Sequence, residues 1–447
     1  MFNIHSWYTV HKLKKLIEQK KQYKVQKKFK PEPGNLLYVL ASCLPFHISG
    51  YTTRTQEILK NLQSICNSSG NKKLFVLTRT GYPWDREDSR SVPEDGKFYN
   101  IVDGIRYDHL KKPRNRILTV FYAEAASYAI EKYIIENNIS CVHAASNHVN
   151  ALPALIAAKR LGIPFQYEMR GLWELTRISR CPQFAKSHIF TLGLELEAMV
   201  ARNADRVFAI SNQLSLYIQK NWGVKAERIH LLPNCADVDR IKPQNDSEIT
   251  ETISGNENKD NDNDNEAVTI VYAGSLIVYE GIQTLLRAIQ VLVYDKKKQV
   301  KLDILGDGEY RKKLEELSSE LKLTENVRFL GRVSPDEAKK KQDNCGLVCI
   351  PREPYDVCQI VPPIKMVEAM AKGKCVIVPD LPVFKDELGE GESGCLFFKS
   401  GDYQDLARVL EDNIFDSAGL AEKGRKARQY VISHRQWKQF TGEVFPQ

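Results

Sequence analysis

LVCIPREPYDVCQIVPPIKMVEAMAKGKCVIVPDLPVFKDEL, residues 347–388, reads as strand, loop, helix, strand and loop. The apolar run Leu347–Ile350 is short enough for a buried strand. Pro362 and Pro363 punctuate the loop and preset a helix over Ile364–Lys372, which Gly373 stops. Cys375–Val378 is a second buried strand. A helix that starts beside a strand end points free N–H groups and partial positive charge outward, an anion site. Lys365 and Glu368 are three residues apart and share a face of its first turns. The cation suits a diphosphate and the carboxylate suits ribose hydroxyls, so the pair fits a nucleotide. An ordinary α/β crossover with a surface lysine and glutamate would give the same pattern.

Outward from this stretch the chain keeps alternating strands and helices. Toward the N-terminus, strands are expected at Leu36–Ala41, Leu74–Thr78, Ser140–Ala144, Pro164–Glu168, Arg206–Ile210 and Ile229–Leu232. Helices at Thr52–Ile65, Tyr122–Asn137, Leu152–Leu161, Leu192–Arg202 and Gln213–Asn221 separate them, with a short hairpin near Ile101–Tyr107. After residue 267 the alternation restarts at Thr269–Tyr272 and runs through the 347–388 stretch to helices at Asp402–Asn413 and Ala421–Ser433. Strands and helices at this spacing mean α/β domains with parallel, doubly wound sheets. The expected division is a basic arm over 1–34, a first domain over 35–235 and a second over 267–431. Between them, 244–266 is polar, acidic and low in complexity, and reads as a disordered insertion. Residues 432–447 are expected to pack back on the N-terminal domain. Ligands of such sheets bind outside the carboxyl ends of the strands, so two domains facing each other would enclose a cleft.

With 447 residues, either domain can bury a sizeable core. The net charge of +8 sits entirely in residues 1–30, where nine lysines face one acid, Glu18. The rest is neutral, with no basic patch interleaved with aromatics, so nucleic acid is not an expected partner. In the arm, Trp7, Tyr8, Val10, Leu13, Leu16 and Ile17 fall near one helical face with lysines opposite. That pattern suits an anionic membrane surface or a solvated tail. No spanning helix and no secretory signal is apparent. Ten cysteines without metal-ligand spacing suit reduced thiols in a cytosol.

Several segments together resemble family 4 glycosyltransferases, enzymes of the GT-B architecture that use nucleotide sugars. They are FHISGYTTRT (46–55), GYPWD (81–85), VHAASNHVNALPAL (142–155), YEMRGLWE (167–174), YAGSLIVYEG (272–281), LGDG (305–308), FLGRV (329–333) and PPIKMVEAMAKG (362–373). The order is specific where the single pieces are not. It is most similar to the exopolysaccharide-cluster branch. The resemblance implies a GT-B fold: two Rossmann-like domains facing a central cleft, the first on the acceptor side and the second on the nucleotide-sugar side. It implies that Glu368 holds the ribose and that Gly50 lets backbone approach the diphosphate. The base would lie against the backbone of Arg332 and Val333. Pro363, Ile364 and Lys365 would form the helix start at the diphosphate. Three positions depart from the family. Ile360 stands where its first glutamate would hold the donor sugar, with Asp356 and Gln359 nearby. Ser275 and Glu280 stand where it has a diphosphate-binding Arg and Lys, so Lys365 is expected to replace them. His143 and His148 stand in place of a closer histidine pair and are expected at the cleft edge as catalytic or orienting groups.

The implied activity is transfer of a hexosyl group from a nucleoside diphosphate sugar to a hydroxyl of a saccharide or lipid-linked acceptor, with retained anomeric configuration. Its setting would be cell-surface polysaccharide biosynthesis, such as capsule or lipopolysaccharide. Arg170 and Glu174 are candidate acceptor contacts, or members of a loop salt-bridge network with Glu168. No cofactor and no metal are expected. The expected place is the cytoplasm, with the arm reaching the inner face of the cell membrane. A non-catalytic GT-B scaffold of a polysaccharide assembly is the alternative, motivated by Ile360, Ser275 and Glu280. An epimerase or phosphorylase on the same fold is a further one.

Overall fold

The computed structural model describes residues 3–18, 29–86, 91–94, 96–243, 268–343, 345, 347–389 and 391–446. The acidic tract expected over 244–266 lies outside the described residues, as does 19–28 of the basic arm. The chain divides into two compact units, Met1–Pro233 with Trp437–Gln447, and Asn234–Gln436.

The first unit is built on an eight-stranded sheet. Its strands are β1 Asn35–Leu40, β2 Lys73–Thr78, β3 Tyr99–Val102, β4 Ile105–Asp108, β5 Cys141–Ala145, β6 Phe165–Met169, β7 Arg206–Ala209 and β8 Ile229–Leu231. The order is β3-β4-β2-β1-β5-β6-β7-β8, parallel except for the β3–β4 hairpin. Every residue of β1, β5 and β6 is buried, as strands of a parallel sheet covered on both faces should be, and that burial encloses the polar His143, Gln166 and Glu168 with their apolar neighbours. The winding reverses between β1 and β5, so the loops at their carboxyl ends flank a topological switch point. The helices are α1 Ile4–Glu18, α2 Gly50–Ser69, α3 Thr119–Glu136, α4 His148–Leu161, α5 Trp173–Arg180, α6 His188–Asn203 and α7 Asn212–Trp222.

Helix α1 corrects the reading of the arm. Its apolar residues fall in two stripes. Leu13, Leu16 and Ile17, with Ser6 and Thr9, are buried where α1 meets α3, α4 and α6. Ile4, Trp7 and Tyr8 stay exposed, with His11, Lys14 and Lys15 on their side. Over this span the arm is part of the domain. The buried guanidinium of Arg54 on α2 donates to the carbonyls of Leu232 (2.5 Å) and Pro233 (2.7 Å). The same group lies 5.2 Å from the ring centroid of Trp437.

The second unit carries a six-stranded, wholly parallel sheet, order β11-β10-β9-β12-β13-β14. Its strands are β9 Val268–Ala273, β10 Val300–Leu305, β11 Val327–Gly331, β12 Leu347–Cys349, β13 Cys375–Pro379 and β14 Leu396–Phe398. The winding reverses between β9 and β12. The larger apolar cluster gathers Ile270, Tyr272, Leu285, Leu302 and Ile377, and a smaller one gathers Val271, Leu305 and Cys345. Strand β14 and the helices α5, Asp356–Ile360 and Pro382–Leu388 lie in stretches that the sequence reading leaves unassigned or as loop. All ten cysteines are free, Cys181 exposed and the others buried. Among the described residues no helix is long and apolar enough to cross a membrane.

Leu13 is 0% exposed while Trp7 is 59% exposed. Leu13→Ala is therefore expected to lower stability in a denaturant titration by about 2–5 kcal/mol, and Trp7→Ala by under about 0.5 kcal/mol. Equal small effects would show that α1 does not contribute to the core.

Candidate functional site

In the second unit the site forms where the sheet winding reverses. Ala273 ends β9, Cys349 ends β12, and the helix Ile364–Ala371 begins after Pro363. A cavity of about 450 Å³ is lined there by Val271, Ala273, Val348 and Cys349, with Lys365 and Glu368 among its polar walls. Further basic groups on its lining are Arg240, Lys372 and Lys374. The helix therefore does bring Lys365 and Glu368 to one cavity, with the apolar strand ends as its floor.

Lys365 is paired within the domain. Its Nζ donates to Glu280 Oε2 at 2.5 Å and to the Tyr272 hydroxyl at 3.1 Å, and lies 4.4 Å from that ring's centroid. Glu280 Oε1 accepts from Arg352 Nη2 at 2.7 Å and Nε at 3.1 Å. Arg352 Nη1 also donates to the Val361 carbonyl at 2.8 Å. Two cations thus share one buried carboxylate, and the cluster carries a net +1. Burial alone would raise the Glu280 carboxyl, but Arg352 and then Lys365 outweigh it and hold it at about 2. Burial pulls the Lys365 ammonium below its usual range, with Glu280 acting against it.

Two glycines border the cluster, and one of them is required by it. Gly281 sits at φ +75°, where a Cβ would lie 1.7 Å from the Pro351 carbonyl oxygen. That close approach of the 278–281 and 351–352 segments carries Glu280 to Arg352. A Cβ on Gly274 would lie 3.0 Å from Lys365 Nζ and from the Tyr272 hydroxyl, so a side chain there would crowd the lysine's end.

The other expected donor residues scatter around this centre. Pro363 is buried and caps the helix start, with Ile364 half-buried beside it. Ser275 is exposed on the loop after β9, and its carbonyl accepts from the Tyr272 hydroxyl at 3.2 Å. Arg332 is exposed, its Nε 3.7 Å from Asp307 Oδ2, and Val333 packs on the smaller apolar cluster. Ile360 ends the short helix Asp356–Ile360 and is only 7% exposed, an apolar core position. Asp356 is exposed and Gln359 half-buried on the same turn. Arg352 was missed in the sequence. The signal was there: an arginine just past a strand at the switch point, in the loop that carries ligand contacts.

In the first unit the two histidines part company. His143 lies inside β5, 0% exposed, stacked on Tyr38 at 4.8 Å between ring centroids. Its Nδ1 faces Gln166 Oε1 at 3.0 Å and its Nε2 faces Glu168 Oε2 at 3.3 Å. An enclosed ring cannot meet a substrate, so the expectation of a catalytic strand-end histidine is corrected. Arg170 belongs to the same buried network. It donates to Glu168 (2.8 Å), Thr55 Oγ1 (2.6 Å), the Tyr38 hydroxyl (2.7 Å) and the Tyr51 carbonyl (3.1 Å). Arg54 reaches Glu168 Oε1 at 3.1 Å, and the Tyr38 hydroxyl donates to Oε2. Burial would raise the Glu168 carboxyl, but Arg170, His143 and Arg54 hold it well below the usual range. The acceptor role for Arg170 therefore yields to the salt-bridge reading, while Glu174 lies apart from this network.

His148 opens α4. Its N–H donates to Glu197 Oε1 at 2.7 Å, and its Nδ1 is 3.0 Å from the same oxygen. Glu174 Oε1 stands 4.0 Å from that nitrogen. Burial, then the Glu197 charge, push Glu174 up to about 7. Gly50 is the exposed first residue of α2, at the carboxyl end of β1.

Residues 76–240 match the family described as Glycosyltransferase Family 4, and residues 254–431 match Glycosyl transferases group 1. Sulfoquinovosyl transferase SQD2 of Arabidopsis thaliana is 24% identical over 423 residues, 90% of this chain and 70% of the relative. Among solved structures, sucrose-phosphate synthase from Thermosynechococcus elongatus superposes with a TM-score of 0.67 at 16% identity. That match covers 92% of this chain and 97% of the other. Anabaena HepE in complex with UDP-glucose superposes with a TM-score of 0.61 at 16% identity, covering 92% and 98%.

Glu280 gives a pH-dependent test. Its folded pKa of about 2 lies below the ordinary 4.5, so its contribution is present above about pH 4.5 and lost as pH falls toward 2. Glu280→Gln leaves two cations facing each other in a buried place. By calorimetry at pH 7 it is expected to destabilise the protein by about 3–5 kcal/mol, with the gap to the parent closing below pH 4.5. A gap that stays constant down to pH 3 would contradict the ion-pair account.

Proposed function

We propose that this chain, whose two domains are those of a GT-B glycosyltransferase of family 4, moves a hexosyl group from a nucleoside diphosphate sugar to a hydroxyl acceptor. The acceptor is a saccharide or lipid-linked saccharide, the anomeric configuration is retained, and the setting is cell-surface polysaccharide assembly. One observation carries the reading. Lys365 and Glu368 line one cavity at the β9–β12 switch point, with Arg352 held to Lys365 through Glu280.

The difficult step breaks the bond between the anomeric carbon and the diphosphate oxygen. Negative charge grows on that oxygen, so preorganised donors there lower the barrier. Lys365 and the N–H groups at the start of the 364–371 helix face the diphosphate, and Arg352 sets the charge behind them. On binding, phosphate oxygens compete with Glu280 for the lysine, one charge-assisted partner replacing another. The acceptor oxygen then bonds to the anomeric carbon while its proton passes to the leaving phosphate oxygen. No side-chain base is required, which agrees with the enclosure of His143. The diphosphate charge is met by side chains and helix N–H groups, without a metal ion at that position. Glu368, one turn along, accepts from the ribose hydroxyls. The role of the family's sugar-holding glutamate falls to Gln359 and Asp356, since Ile360 faces the core.

The exposed stripe of α1 supports a second element of this reading. Ile4, Trp7 and Tyr8 lie on one side with Lys14 and Lys15 following. An aromatic tip with lysines beside it suits the headgroup layer of an anionic membrane, where a lipid-linked acceptor would be met.

Isothermal titration with UDP and GDP should show Glu368→Ala abolishing nucleoside diphosphate binding. Lys365→Ala should weaken the diphosphate at least about tenfold more than the nucleoside, one lost charge-assisted contact. Equal losses would remove Lys365 from the diphosphate. Donor turnover without transfer to any added acceptor would favour hydrolysis or epimerisation, and no turnover at all a scaffold. Sedimentation with phosphatidylserine vesicles should carry the full chain down, and Trp7→Ser with Tyr8→Ser should release it. Release at neither substitution would rule out the α1 stripe.

A further inference from the structure

We propose that His148, Glu174 and Glu197 form a binding site for one divalent transition-metal ion, zinc by its ligand chemistry. The site lies within the first domain and uses none of the groups assigned to the donor. It departs from the expectation that the chain takes no metal.

Three helices bring the ligands together. His148 is the first residue of α4, Glu174 lies on the first turn of α5, and Glu197 lies on α6. One nitrogen and one oxygen from each carboxylate all lie within 4.8 Å of one another. Ligand atoms about 2.1 Å from a tetrahedral zinc stand roughly 3.4 Å apart, so a small side-chain adjustment closes the triangle on an ion. One imidazole with two carboxylates is a donor set that zinc accepts and that leaves a fourth position open.

The independent mark of a missing partner is on Glu174. It is 1% exposed, and its Oε2 has no hydrogen-bond partner. Its Oε1 stands toward His148 at 4.0 Å, too far for a hydrogen bond. The carboxylate has a backbone hydrogen bond within its own residue, but a buried oxygen left without a partner is costly, and a cation between the carboxylate and its neighbours answers the cost. Space for the carboxylate is reserved by Gly193 on α6, where a Cβ would come within 2.3 Å of Glu174 Oε1. Outside the triangle, the Tyr167 hydroxyl donates to Glu197 Oε2, fixing the second carboxylate as outer-shell partners fix metal ligands. His148 keeps 12% side-chain exposure, which gives an ion its way in. A bound ion would fasten α5, a short and polar helix, to α4 and α6.

The full chain, dialysed against a chelator, is titrated with Zn²⁺ by calorimetry and separately with Co²⁺ by visible absorption. One ion should bind with a dissociation constant of about 1 μM or tighter. Co²⁺ should give the strong visible bands of a four-coordinate nitrogen–oxygen site, and Zn²⁺ should raise the melting midpoint. Glu174→Gln and His148→Gln should each weaken binding at least about tenfold, with circular dichroism unchanged. Cys181→Ser, which removes the exposed thiol, should leave binding intact. Absence of stoichiometric binding overturns the proposal, as does binding that survives both variants or is lost in Cys181→Ser. If a variant fails to fold, the Co²⁺ spectrum of the parent decides: weak octahedral bands alone overturn the site.

Discussion

A carboxylate taken out of water is costly unless cations meet it, and in each domain one such carboxylate draws several elements together. The cost of burying an ion is several kcal/mol, and removing a partner from a buried pair is strongly destabilising. In the first domain Glu168 is surrounded by Arg54, Arg170, His143 and Tyr38, and the group closes on itself. In the second, Glu280 is met by Arg352 and Lys365, but Lys365 also borders a cavity. The two clusters use the same physics to different ends. The closed one ties strands β1 and β6 to helix α2. The open one holds Lys365 in place at the wall of the cavity, with Arg352 behind it on the shared carboxylate.

Both sheets place their reversal of winding at a comparable point, between β1 and β5 and between β9 and β12. The segments that follow those strand ends carry Gly50 and His148, each opening a helix, in one domain, and Gly274, Arg352 and the helix residue Lys365 in the other. Topology, rather than any one motif, therefore decides which side chains meet. Gly281 allows 278–281 to approach 351–352, and without that approach Glu280 would not reach Arg352.

The alternation of strands and helices was legible because buried parallel strands are short continuous apolar runs. The β-strand at Leu396–Phe398 and helix α5 were not, since both are too short for a period to repeat. Helix α1 misled because a helical wheel shows apolar stripes without saying which one is covered. Leu13 and Leu16 face the domain, while Trp7 and Tyr8 do not. His143 misled for a related reason. In a sheet covered on both faces, a polar residue in a strand is enclosed, so it signals an internal network. Lys365 and Glu368 were readable from local spacing along one helix. Arg352 was not read with them, because the residue that binds it to Lys365 is Glu280, 72 positions away. Local patterns report what shares a helix face; long-range charge pairing becomes visible only when the sheet order is known.

The clamp at Arg54 bears on the order in which the protein is made. Its guanidinium holds the carbonyls of Leu232 and Pro233, where the chain leaves the first domain, and lies against Trp437, where the chain returns. A short parallel bridge between Ala236 and Gln436 sets the two crossings side by side. The second domain is thus an insertion within the first. During synthesis on a ribosome, the first domain must wait with an uncovered face on α2 until some two hundred further residues have emerged. Only then does Trp437 arrive. The nascent first domain is therefore the species that a chaperone would meet, whereas the second domain is one continuous stretch whose residues have all emerged before Trp437.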